Sequence, residues 1–156
     1  AREVDVVSLC VGNDNDVRET VRVMLPHLKA GAVILDHTTT SSALAQEMHA
    51  LCAKHHVQFL DCPVSGGQAG AENGLLTIMC GGDEATFERV RPILAQYSQY
   101  QRHFGASGAG QGAKMVNQIL VVNVLQNLAE NITLNKALGL DIKTLVNTLK
   151  RNTTNS

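Results

Sequence analysis

Val4 to Val11 reads VDVVSLCV, a short, apolar, β-branched run of the kind that forms a buried strand. Two more such runs follow, Ala32 to Asp36 (AVILD) and Val57 to Asp61 (VQFLD). Between the first two runs, the polar turn Gly12-Asn-Asp-Asn15 opens a segment in which Val17, Val21, Met24, Leu25 and Leu28 recur at helical spacing. Gly31 then stands where a helix C-cap glycine belongs. Between the second and third, Thr38 to Ser42 offers capping hydroxyls to a helix whose face is Leu44, Met48, Leu51, Cys52 and His55. Strands alternating with helices predict an α/β fold with right-handed βαβ units on a parallel sheet. The expected parallel strands are 4–11, 32–36 and 57–61, with a further strand near 75–80 (LLTIMC).

After the third strand comes PVSGGQAGAENG, residues 63–74, too glycine-rich for a regular strand. Asp83 can cap a helix carrying Phe87, Val90, Leu94 and Tyr97, whose pattern Pro92 interrupts. A short segment, Tyr100 to Phe104, leads into GASGAGQGAK. From about Gly110 the pattern changes. Lys114 to Leu138 has no breaker and predicts one long helix over about 110–138, apolar on most faces and so in want of burial on most sides. Asn123, Asn127, Asn131 and Asn135 form a polar line along it, read as a solvated or subunit-facing stripe. A last helix is expected over Asp141 to Lys150. One more helix cannot cover so long an apolar rod, and that predicts a homo-oligomer, a dimer or larger, packed through it.

Composition narrows the function. The chain has 156 residues, 44% of them apolar, enough for a core and against disorder. Thirteen Lys and Arg against 14 Asp and Glu leave a net charge of −1, without the basic excess that nucleic acid or an anionic membrane surface would attract. No apolar run approaches the ~18 residues of a membrane span. Cys10, Cys52, Cys62 and Cys80 form no CxxC pair, and no Cys or His spacing matches a zinc ligand pair, so no metal is expected. They read as reduced thiols of a cytosolic or organellar protein, and a cytoplasmic location is expected. The sequons at Asn131 and Asn152 are taken as chance.

In an open parallel sheet, ligands collect at the carboxyl ends of the strands. The loops at such ends here, Val11 to Asp16, Asp36 to Ser41 and Asp61 to Gly70, are rich in small polar residues and point to a small-molecule site. In Cys62-Pro-Val-Ser-Gly-Gly67, two glycines after a serine let backbone N–H groups approach an anionic ligand; a plain glycine turn is the alternative. Lys114 follows a glycine run and is placed by the pattern in the first turn of the long helix. There the helix dipole and partial burial favour its neutral form and suit it to proton exchange. Spacing alone leaves a solvated surface lysine as the plainer reading. Asn117 falls one turn later on the same face. Gly108-Ala-Gly110-Gln-Gly-Ala113 matches a dinucleotide fingerprint by pattern but is rejected, because the helix after it runs on with no second strand.

DCPVSGGQAGAENGLLTIMCGGD followed by GAGQGAKMVNQ resembles the β-hydroxyacid dehydrogenases, the family of 3-hydroxyisobutyrate dehydrogenase and tartronate semialdehyde reductase. DHTTTSSALAQE resembles the family's D-x-S-T segment, and VVSLCVGNDNDV its fourth-strand turn. The resemblance implies a Rossmann domain joined by one long helix to an all-helical domain, so residues 1–105 match the C-terminal part of the first and 106–156 the start of the second. It implies NAD or NADP as cofactor and reversible oxidation of a small 3-hydroxy acid. Lys114 matches the catalytic lysine, the general acid/base at the hydroxyl, and Asn117 the substrate-binding asparagine beside it. Ser65, Gly66 and Gly67 match the loop that holds the substrate carboxylate. Thr39 matches a threonine near the nicotinamide, and Val11 and Gly12 fall on a Leu-Pro pair along the cofactor, neither of which this chain has. Family members run close to twice this length and begin with a glycine fingerprint, so the chain is expected to be a fragment. The competing expectation is a non-catalytic homo-oligomerisation module.

Overall fold

The computed structural model describes residues 3–153. The chain divides into two units, the first ending at Val116 and the second beginning at Asn117. In the first unit, β1 (Val6–Leu9), β2 (Val33–Asp36) and β3 (Gln58–Asp61) are joined by α1 (Asp14–Met24) and α2 (Ser42–Ala53). The three strands are parallel, and their last residues lie level, Leu9 beside Asp36 and Asp36 beside Asp61. The first strand is therefore shorter than the expected 4–11. After β3 come β4 (Val64–Ser65), α3 (Gly67–Glu72), β5 (Leu76–Gly81), α4 (Glu84–Leu94) and β6 (Ser98–Gly105), completing one six-stranded sheet.

Local chemistry starts α1, α2 and α4. The Asn13 side chain accepts the Asn15 and Asp16 N–H groups at the head of α1, the Ser41 hydroxyl accepts Leu44 N–H at α2, and the Asp83 carboxylate accepts Thr86 N–H at α4. α1 and α2 bury Val17, Val21, Leu44, Met48 and Cys52 on one face of the sheet, against Leu9, Ile34 and Phe59. On the other face Phe87, Val90 and Leu94 of α4 pack on Val33, Leu35, Leu60, Cys62, Ile78 and Cys80. Burial on both faces explains why the central strands read as nearly unbroken apolar runs.

Three sequence expectations need correction. The sheet is mixed: β5 runs antiparallel to both β3 and β4, and parallel only to β6. A parallel return needs a crossover over the sheet of a dozen or more residues. The six-residue α3 is too short for that, so the chain turns back on itself. The glycine-rich stretch holds β4 and α3, turning at Gly66 (φ +133°) and Gly67 (φ +61°), both in the left-handed region. The segment after α4 is a full eight-residue strand, hidden because its half-buried positions, Gln101 and His103, are polar while Tyr100 and Phe104 are exposed.

The long helix is α5 (Ala109–Ala137), and α6 (Ile142–Thr153) follows it. In the second unit, Gly139 (φ +67°) closes α5 while Leu140 N–H returns to the Asn135 carbonyl at 3.2 Å, and Asp141 caps α6 through Thr144 N–H. The asparagine line is not uniformly solvated. Asn123, Asn127 and Asn131 are exposed, but Asn135 is only 4% exposed, at the residue whose carbonyl ties back the turn, and its side-chain nitrogen has no partner.

Candidate functional site

Because Leu9, Asp36 and Asp61 end level, the loops that follow β1, β2 and β3 emerge side by side. They are then tied together. Val11 N–H donates to Thr38 Oγ1 at 3.0 Å, and the Ser41 hydroxyl and N–H both donate to the Asp14 carboxylate, at 2.6 and 3.2 Å. Val11, Gly12 and Thr39 thus share one rim, with Gly12 and Thr39 exposed. A Cβ at Gly12 would stand 2.6 Å from Asp16 Oδ2, so the bare backbone there leaves that carboxylate its place.

The head of α5 is fastened to the same edge. Asp61, wholly buried, accepts Gly108 N–H at 2.8 Å and Gln111 N–H at 3.0 Å. The Gln111 amide donates to the Thr38 carbonyl at 2.7 Å and accepts Thr40 N–H at 3.0 Å, and the Ser42 hydroxyl donates to the Gly108 carbonyl. Close approach explains the glycines. A Cβ on Gly110 would meet Met79 O at 2.5 Å and Asp61 O at 2.7 Å. The glycine run that resembles a dinucleotide fingerprint is here a helix–sheet packing device.

Lys114 follows one turn later. It lies in the second turn of α5, not the first, because the helix begins at Ala109. The dipole acts mainly within the first turn, where Asp61 already sits. Lys114 is 9% exposed, and burial lowers its pKa from the ordinary 10.5. It lines a cleft of about 520 Å³ together with Ser8, Cys10, His37, Gly67 and Tyr97. Among the expected substrate residues, Lys114 and Gly67 therefore share one cleft. Ser65 is half-buried in β4 and Gly66 is exposed, the two residues immediately before Gly67 in the chain. Asn117 opens the second unit, its amide donating to Gln118 Oε1 at 3.3 Å. Val11, Gly12 and Thr39 are not among the cleft's walls. Among the described residues no group of His, Cys, Asp and Glu is arranged to hold a metal ion, and no helix is long and apolar enough to cross a membrane.

Asp36, 1% exposed, accepts Thr38 N–H at 3.0 Å, yet burial raises its pKa from 3.8 to about 6. The folded chain therefore holds this proton more tightly than the unfolded chain. Stability should fall as pH rises from about 4 to about 6, the full penalty being on the order of 3 kcal/mol above that range. Urea unfolding from pH 4 to 7 should show Asp36→Asn losing this falling limb relative to the parent. Identical pH profiles would remove Asp36 as its source.

Asp61, Gln111, His37 and Tyr97 were not singled out as site residues by sequence. Asp61 heads the glycine-loop motif, and its place at a strand's carboxyl end was the available signal. His37 and Tyr97 stand 60 positions apart in no pattern.

Residues 1–108 match the family described as the NAD binding domain of 6-phosphogluconate dehydrogenase. The chain belongs to the β-hydroxyacid dehydrogenase family. An uncharacterized oxidoreductase of Shewanella frigidimarina is 48% identical to this family member over 144 residues, 90% of this chain and 50% of that protein. A probable 3-hydroxyisobutyrate dehydrogenase-like protein of Arabidopsis thaliana is 37% identical over 147 residues, 92% of this chain and 44% of that protein. The solved structure of Mycobacterium tuberculosis 3-hydroxyisobutyrate dehydrogenase with L-serine superposes with a TM-score of 0.91 at 36% identity, covering 95% of this chain and 51% of that one. The chain thus spans about half the length of the relatives it matches.

Proposed function

We propose that this chain forms the substrate-facing part of an NAD- or NADP-dependent dehydrogenase that reversibly oxidises a small 3-hydroxy acid to its semialdehyde. Residues 1–105 would be the C-terminal part of the dinucleotide-binding domain and 106–156 the start of a helical domain. The observation that carries the reading is Lys114, nearly buried and of lowered basicity, in one cleft with Gly67 at the carboxyl edge of the sheet. A neutral lysine amine can take the proton of the substrate hydroxyl, and the ammonium so formed returns it in the reverse direction. The Ser65 to Gly67 loop holds the carboxylate, and Asn117 orients the substrate. The nicotinamide supplies the acceptor for hydride. The rim of Val11, Gly12 and Thr39 fits such a flat, polar group: it is accessible, has no side chain at 12, and has an exposed threonine at 39. Four unpaired cysteines, three of them buried, suit a reducing compartment, and we place the protein in the cytoplasm. Isothermal titration with NAD and NADP tests the cofactor. Micromolar binding of either is expected, while millimolar or absent binding favours a non-catalytic module.

A specific observation favours self-association as well. Ile119, Leu120, Val124, Leu125 and Leu128 of α5 are each more than half exposed. Burying each such side chain is worth about 1.5–3 kcal/mol, so a homo-oligomer packed through α5 is expected. Sedimentation equilibrium at low micromolar concentration should give a dimer or larger species, and a folded monomer of 16.7 kDa would rule this out.

A further inference from the structure

We propose that Tyr97, locked by His37 as a hydrogen-bond acceptor in the Lys114 cleft, selects ligands that present an O–H or N–H donor to it. The inference rests on the reading that this cleft takes the substrate. Its starting point is a chain of two hydrogen bonds. His37 Nδ1 lies 2.8 Å from the Cys62 carbonyl oxygen, and His37 Nε2 lies 3.0 Å from the Tyr97 hydroxyl. A carbonyl oxygen only accepts, so Nδ1 carries the hydrogen. Burial lowers the pKa of His37 and keeps the ring neutral, so Nε2 is bare and only accepts. The Tyr97 hydroxyl must therefore donate to it. The two rings stand edge-on, with centroids 5.6 Å apart and planes at 87°, which holds the arrangement in place.

With its hydrogen committed to His37, the Tyr97 oxygen retains only acceptor capacity. Both rings line the same cleft as Lys114. The Ser8 hydroxyl on that wall can turn to donate or accept, so it discriminates nothing. Val64 and Leu76 are apolar. Lys114 donates as the ammonium and accepts as the neutral amine, whereas Tyr97 accepts in either state and is the fixed directional acceptor. A ligand carrying a methyl group against Tyr97 leaves that oxygen desolvated and unpartnered, and a ligand carrying a carbonyl there meets it lone pair to lone pair. A hydroxyl or amine satisfies it. Sites built to bond a ligand hydroxyl reject the analogue that lacks one, because their own buried polar group is left unpaired.

Glycerate and 3-hydroxyisobutyrate are suitable probes, since they differ at C2 by hydroxyl against methyl. Two-dimensional ¹⁵N–¹H spectra of the histidine-labelled chain should show His37 as the Nδ1–H tautomer. Titrations followed in the same spectra should give glycerate binding about ten-fold tighter than 3-hydroxyisobutyrate. Tyr97→Phe keeps the ring and its packing, and should bring the two affinities together. An Nε2–H tautomer in the parent chain, which needs no variant to observe, overturns the proposal. So do equal affinities in the parent, a preference that survives Tyr97→Phe, or no binding of either acid. Failure of the dehydrogenase reading is distinct: neither NAD nor NADP then binds, while the tautomer and the donor preference stand.

Discussion

If this chain carries the catalytic lysine of a 3-hydroxy acid dehydrogenase as proposed, Lys114→Met in the full-length enzyme is expected to lower turnover by about 10²–10⁴-fold with a smaller change in KM. Methionine keeps the length of the stem and its packing in the cleft, and removes only the group that exchanges a proton. Lys114→Arg should fail comparably, because a guanidinium stays protonated and cannot take the hydroxyl proton. The parent enzyme should oxidise its substrate faster as pH rises, through a lysine pKa below the ordinary 10.5, since the neutral amine is the working base. That limb should vanish in the methionine variant. Stability separates chemistry from folding. Lys114 is nearly buried and forms no ion pair among the described residues, so its charge costs free energy in the fold. The methionine variant should unfold at the same urea concentration as the parent or a higher one. Steady-state rates that match the parent would take Lys114 out of the mechanism.

The central sheet was legible because its strands are buried on both faces and its helices carry their own caps. VDVVSLCV, AVILD and VQFLD read directly as β1 to β3, and the Thr38–Ser42 hydroxyls and Asp83 marked the starts of α2 and α4. β6 was not legible, because apolar periodicity reports burial and the half-buried positions of this edge strand are polar. The reversal after β3 was missed because the length of a connection decides strand direction, and a glycine-rich stretch gave no sign of so short a helix. The long helix begins within a residue of its expected start, but Lys114 was placed in its first turn rather than its second for a related reason. Glycine is a poor helix former, yet Gly110 and Gly112 lie inside the helix, held there by contacts from distant parts of the chain. Lys114 could be picked out from its local pattern and family resemblance. The network that places it joins residues 47 to 73 positions apart, and nothing local encodes such distances.

Asp61 should prove as important for folding as Lys114 is for turnover. Its carboxylate is wholly buried, and each oxygen receives one backbone N–H from the head of α5. The first N–H groups of a helix have no partners of their own, and the positive end of the helix dipole favours an anion at that point. Asp61→Ala leaves two N–H groups buried without an acceptor, together with a small cavity, and should cost about 3–5 kcal/mol. Asp61→Asn keeps the shape but turns an NH₂ toward one of the two donors, and about 1–3 kcal/mol should be lost. Urea denaturation with a single transition measures both. The two residues also differ in how stability and activity respond. Losing Asp61 loosens the helix that carries Lys114 into the cleft, so activity should fall together with stability, whereas Lys114→Met should reduce activity alone. If Asp61→Ala unfolds at the parent's urea concentration, the Gly108 and Gln111 N–H groups have found other partners, and Asp61 does not anchor α5.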